Sequence, residues 1–155
     1  MRRVLKRAER VGGMDKVYID NCFNSRLFDG DISPKVKAQT AKIRHIINNQ
    51  IKGGYVIIGG FAVIAEIRKI PDDELRRAAE RQYKQIIFDE VELSAQIITR
   101  AVSLNLMGLG KMDSFHLAAA EAAGAVILIT TDEKFIRKCQ NRNLTAVKVI
   151  NPMDF

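Results

Sequence analysis

The chain is 155 residues long, 47% hydrophobic and 28% charged, the proportions of one soluble domain with a core of its own. Its net charge of +7 invites a nucleic-acid reading, but Arg2, Arg3, Lys6, Arg7 and Arg10 stand against Glu9 alone in the first 13 residues, so more than half of the excess belongs to a tail. Two cysteines far apart in sequence, Cys22 and Cys139, make no disulfide framework and fit a reducing, cytoplasmic compartment, and no apolar run approaches the length of a membrane span.

The tail, MRRVLKRAERVGG, ends immediately before Met14. It holds no apolar stretch of the secretory kind, so export is not expected. Residues 1–13 read as a disordered basic arm, or as an upstream extension with Met14 the true start, and 14–155 read as a single domain.

Four short runs rich in β-branched residues and bounded by polar or glycine punctuation read as buried strands: KVYID (16–20), YVIIG (55–59), AVILIT (125–130) and AVKVI (146–150). Strands that are apolar almost throughout are covered on both faces, which predicts a parallel sheet. Between them, Ser33 and Pro34 supply a cap and a first-turn proline for a helix running toward Lys52, with Gly53 and Gly54 to stop it. Pro71, Asp72 and Asp73 start a second helix through ELRRAAERQYKQII, in which Leu75, Ala78, Ala79, Tyr83 and Ile86 recur at helical spacing. A further strand, VEL, is suggested at 91–93. Ser94 then caps a helix that ends at Gly108, Asp113 opens one that ends at Gly124, and Asp132 opens the last. The pattern is an α/β fold of three layers, α/β/α, around a central, mainly parallel sheet of four or five strands.

Four acids stand beside segments that must be buried: Asp20 after the first strand, Glu66 within FAVIAEI, Asp113 before SFHLAAAEAAGA and Asp132 after AVILITT. Buried carboxylates are costly and repel one another unless a cation compensates them. In open α/β sheets ligands gather at the carboxyl ends of the strands, and Asp20 and Asp132 point to that one edge. A site of several carboxylates suits Mg²⁺ or Mn²⁺ better than zinc, and His45 and His116 form no zinc pattern with either cysteine. Such a cluster supports hydrolysis of a phosphodiester by a positioned water without a covalent nucleophile. Taken singly the acids have plainer explanations: Asp is a favoured helix cap, which covers Asp113 and Asp132, and Asp20 could end a strand in a turn. Glu66 has almost no polar face to occupy, and the alternative for it is a partly exposed charge paired with Arg68 or Lys69.

The residues in this order, YIDNC and RLFD, an apolar helix containing Glu66, MDSFHLAAAEAAGA, LITTDEKF and a closing VINP, resemble the PIN-domain family and in particular the bacterial VapC-type toxins, over residues 16–153. The resemblance implies that Asp20, Glu66, Asp113 and Asp132 are both catalytic and metal-binding, that the ion is Mg²⁺ or Mn²⁺, and that the substrate is RNA. It also implies a cognate antitoxin and a homodimer. One subgroup carries DxCxxxRxFD, which falls on Asp20, Cys22, Arg26, Phe28 and Asp29. Thr130 matches a threonine or serine that hydrogen-bonds near the last acid. The chain departs from the pattern at Asn21, where threonine is common after the first acid, and at Gly59 and Gly60, which replace a serine or threonine before the Glu-bearing helix.

Arg26, Lys111 and Lys134 are placed to contact phosphate, although solvated surface charge also accounts for each. His116 reads as structural on its Ala-rich helix, and Cys22 as a small buried filler. Strand-end aspartates also serve haloacid-dehalogenase phosphatases and response-regulator receivers. The former need an acid where Cys22 stands, and the latter need an acidic pair that this chain does not show. The competing reading from another class is a PIN-like module that binds RNA or protein without cutting.

Overall fold

In the computed structural model, residues 13–27, 30 and 33–155 are described. Most of the basic tail, as well as Phe28 and Asp29, lies outside the described residues.

The described residues form one five-stranded, wholly parallel sheet in the order β3-β2-β1-β4-β5, with β1 at Asp15–Ile19, β2 at Tyr55–Gly60, β3 at Asp89–Val91, β4 at Ile127–Ile129 and β5 at Lys148–Ile150. Seven α-helices among these residues cover it: α1 (Cys22–Leu27), α2 (Pro34–Asn48), α3 (Phe61–Ile67), α4 (Asp73–Ile86), α5 (Ala95–Leu106), α6 (Lys111–Ala122) and α7 (Glu133–Arg142).

Alternation along each strand sends successive side chains to opposite faces and so builds two cores. Val17, Ile19, Ile57 and Ile129 pack with Phe23, Ile43, Ile46, Val63, Ile67 and Tyr83 from α1 to α4. Tyr18, Val56, Ile58 and Leu128 pack with Ile97, Leu104, Leu117 and Phe135 from α5 to α7. The fold is therefore the expected three-layer α/β/α arrangement. No helix among the described residues is long and apolar enough to cross a membrane.

The helix starts follow local chemistry. Ser33 accepts from the Val36 amide at 3.3 Å ahead of Pro34, Asp72 from Leu75 at 2.8 Å, and Ser94 from Ile97 at 3.2 Å. Four expectations are corrected. The first long helix stops at Asn48 rather than near Lys52, because Ile51 turns to a positive φ of 72° ahead of Gly53 and Gly54. The extra strand is real but lies at Asp89–Val91, where Ile58 pairs with Asp89, and Leu93 is exposed. Leu75 is exposed too, so the buried stripe of α4 is Ala79, Tyr83 and Ile86. Asp113 is not the cap of its helix: Gly110 holds that position and Asp113 sits in the first turn.

Candidate active site

The strand order reverses between β1 and β4, since the chain lays β2 and β3 to one side of β1 and β4 and β5 to the other. In such sheets the crevice outside the carboxyl ends at the reversal is where ligands bind. Asp20 follows β1 directly and Asp132 follows β4 across Thr130 and Thr131, so the two acids flank that crevice. Glu66 comes from α3, which continues straight out of β2, and Asp113 from the first turn of α6.

Backbone amides aim two of the carboxylates. Asp20 Oδ1 accepts from the Cys22 N–H at 2.8 Å. Asp132 caps α7, with Oδ1 accepting from Lys134 and Phe135 at 2.9 and 3.1 Å, while its own N–H donates to Thr130 Oγ1 at 3.1 Å. Capping and a place at the crevice are thus compatible for Asp132, because a carboxylate has two oxygens.

Glu66 is aimed by a buried side chain. Oε1 lies 3.2 Å from His116 Nε2, and the other ring nitrogen, Nδ1, lies 2.9 Å from the Tyr18 hydroxyl. Tyr18 is fully buried and His116 is 2% exposed, on the face of the sheet covered by α6. Gly59 and Gly60 make room for hydroxyls: a Cβ on Gly60 would stand 2.9 Å from Tyr18 Oη, and one on Gly59 would collide with Tyr83 Oη.

Electrostatics show that the four acids share one neighbourhood. Burial first, and then the charge of Asp132, raise the Asp113 carboxyl to about 6; Asp20 and Glu66 push the same way and His116 opposes them. For His116, burial disfavours the cation, but the hydrogen bond to Glu66 and the charges of Asp20, Glu66 and Asp113 outweigh it, leaving the imidazole above its ordinary value. Burial, followed by Asp20, Glu66 and Glu90, holds the Tyr18 phenol well above its usual range. Cys22 is likewise raised, by burial and then by Asp20, and its Sγ faces the Ile129 carbonyl at 3.8 Å, so the thiol stays protonated and is no nucleophile.

Asp20 and Asp132 thus flank one crevice, and Asp113 lies within electrostatic reach of both and of Glu66. Other candidates make contacts of their own. Asn21 Oδ1 accepts from Asn24 Nδ2 at 3.3 Å, and Arg26 Nε donates to the buried Gln39 at 2.8 Å, tying α1 to α2. Lys111 and Lys134 are exposed, each two residues from an acid. Three residues near the site carried no signal strong enough to mark them. Tyr18 looks like an ordinary strand residue and His116 like a packing one, and the buried Asn24 Oδ1 is without a hydrogen-bond partner.

The donor set is all oxygen, which fits a hard divalent cation, and the mutual repulsion recorded at Asp113 is what such a cation would relieve. As the side chains stand, no three His, Cys, Asp or Glu groups among the described residues are gathered closely enough to hold one ion.

The sequence of residues 17–141 matches the PIN domain family. The chain belongs to that family. No curated protein matches it closely enough to add a relative. Two solved structures share the PIN fold with it. VapC20 of Mycobacterium tuberculosis, a toxin that cleaves the sarcin-ricin loop, is similar at a TM-score of 0.59 and 14% identity over 85% of this chain and 98% of that one. VapBC2 of Rickettsia felis, solved bound to a DNA fragment from its promoter, is similar at 0.56 and 14% over 88% and 98%. At this identity the likeness concerns the PIN fold alone.

Proposed function

We propose that this PIN-domain protein is a Mg²⁺- or Mn²⁺-dependent endoribonuclease and the toxin of a toxin–antitoxin pair. The observation that carries the reading is the strand-order reversal flanked by Asp20 and Asp132, beside which the Asp113 carboxyl is raised by burial and then by the charges of the other three acids. Membership of the PIN family and the toxin activity of VapC20 support the choice of RNA as substrate.

Asp20, Glu66, Asp113 and Asp132 would hold the ion, although as they stand no three of them are gathered closely enough around one point. When bound, the ion supplies electrostatic stabilisation to a phosphate oxygen and makes water easier to deprotonate. The chain's own part is orientation. The amides at Cys22, Lys134 and Phe135 fix two carboxylates, Thr130 fixes the turn that carries Asp132, and the remaining carboxylate oxygens accept hydrogen bonds from the attacking water. That water adds to phosphorus in line with the departing oxygen, and no residue becomes covalently attached, consistent with the protonated, buried Cys22. Lys111 and Lys134 contact flanking phosphates as exposed cations, and Arg26 supports the same strand of RNA.

The partners in this reading are RNA, a cognate antitoxin and a second copy of the chain, in the cytoplasm. VapBC2 supports the antitoxin, and an apolar stripe on α5, Ile98, Val102 and Leu106 at 43, 54 and 82% exposure, supports self-association. The uncollected state of the acids favours a second reading, a PIN module that binds RNA without cutting it. One experiment separates the two. Purified protein in Mn²⁺ is expected to cleave a mixed RNA pool, with Asp113→Asn or EDTA removing the cleavage; no cleavage in any condition favours the binding module, and equal cleavage in all three excludes a metal-dependent reaction at these acids.

A further inference from the structure

The chain from Tyr18 through His116 to Glu66 is more than core packing requires, because apolar residues would fill the same space without three buried polar atoms to satisfy. We propose that Tyr18 and His116 are positioning residues that hold the Glu66 carboxylate toward Asp20 and Asp113; the inference rests on the nuclease reading above. Glu66 stands on a seven-residue helix with its side chain 25% exposed, and a free glutamate there has several rotamers to lose on meeting an ion.

A carboxylate only accepts, so His116 Nε2, 3.2 Å from Oε1, carries the hydrogen whether the ring is neutral or cationic. In the neutral ring Nδ1 is then the acceptor, and the Tyr18 O–H at 2.9 Å donates to it, which fixes the tautomer and the tilt of the ring. The rings also meet edge-on, with centroids 5.8 Å apart and planes at 64°. The hydroxyl reaches the imidazole only because residue 60 has no side chain: a Cβ there would lie 2.9 Å from Tyr18 Oη and 3.2 Å from Cε2. A tyrosine set in the space left by a glycine thus orients the histidine, and the histidine alone reaches the carboxylate oxygen.

The test is Mn²⁺ binding by isothermal titration calorimetry on the full chain without RNA, with melting curves to show that each variant folds. His116→Leu is expected to weaken Mn²⁺ about ten- to a hundredfold, the usual effect of removing a ligand's supporting partner. His116→Gln, which keeps an N–H within reach of Glu66, retains most of the affinity, whereas Tyr18→Phe and Gly60→Ala lose part of it. In a Glu66→Gln background His116→Leu adds nothing further, a coupling that general damage to the core would not produce. In the metal-free wild type at alkaline pH, nitrogen NMR of the ring finds the Nε2–H tautomer.

Wild-type Mn²⁺ affinity in His116→Leu with a lowered Tm, or the Nδ1–H tautomer, would overturn the proposal and leave the nuclease reading intact. Should His116→Leu not fold, Tyr18→Phe decides, since it deletes one oxygen. If wild type, Asp20→Asn and Glu66→Gln bind Mn²⁺ alike or not at all, the acids hold no ion and both claims fall together.

Discussion

A partly buried carboxyl that faces the charges of Asp132, Asp20 and Glu66 keeps its proton to higher pH than one in water, and for Asp113 the value rises from 3.8 to about 6. Between those values the folded chain binds more protons than the unfolded one. Stability contributed at this residue is therefore full below the lower value and is lost as pH rises to the upper one, the reverse of a salt-bridged aspartate. The penalty persists at neutral pH. Asp113→Asn should accordingly be more stable than wild type in chelator at neutral pH, by on the order of 1–2 kcal/mol once the partial exposure of the group is discounted, and so melt higher, and should melt with wild type below the window. Thermal melts across the acid range check this, and a variant that melts lower than wild type at neutral pH would show that Asp113 carries no such strain. Thr130 makes the complementary case. It is 1% exposed and its hydroxyl receives the Asp132 amide, so Thr130→Val leaves that donor unpaired and should cost roughly 1–3 kcal/mol, read from chemical denaturation.

Among the elements, those whose signals are local follow the chain's own spelling. β1, β2 and β4 follow from β-branched runs, and α4 and α5 start where Asp72 and Ser94 can cap them. Ser94→Ala should cost about 1 kcal/mol through the lost bond to Ile97, a shift in the denaturation midpoint without a change in slope. Where the deciding contact is distant, the sequence is silent. β3 is acidic and short, and its register is set by pairing with Ile58, Gly59 and Gly60 on the edge of β2, so VEL looked like a better strand than DEV. The four acids were legible because carboxylates beside apolar runs are locally anomalous. The setting of Glu66 was not, since His116 is 50 residues beyond it and Tyr18, which precedes it, is 98 residues from His116. His116 reads as a packing residue until both partners are placed beside it.

At the scale of the whole molecule, the parallel sheet with its reversal between β1 and β4 sets Asp20 and Asp132 at one crevice, within electrostatic reach of Asp113. A fold stabilised by two cores can carry such a repulsive edge, and an ion that binds only the folded form adds stability by mass action. Mn²⁺ should therefore raise the Tm of wild type well above the effect it has on Asp20→Asn; equal shifts would mean that the ion binds elsewhere. The most direct measurement is anomalous diffraction from crystals grown with Mn²⁺. The account predicts a manganese peak within ligand distance of carboxylate oxygens from at least three of Asp20, Glu66, Asp113 and Asp132. A rim with no peak, or manganese bound only at other surfaces, would contradict it.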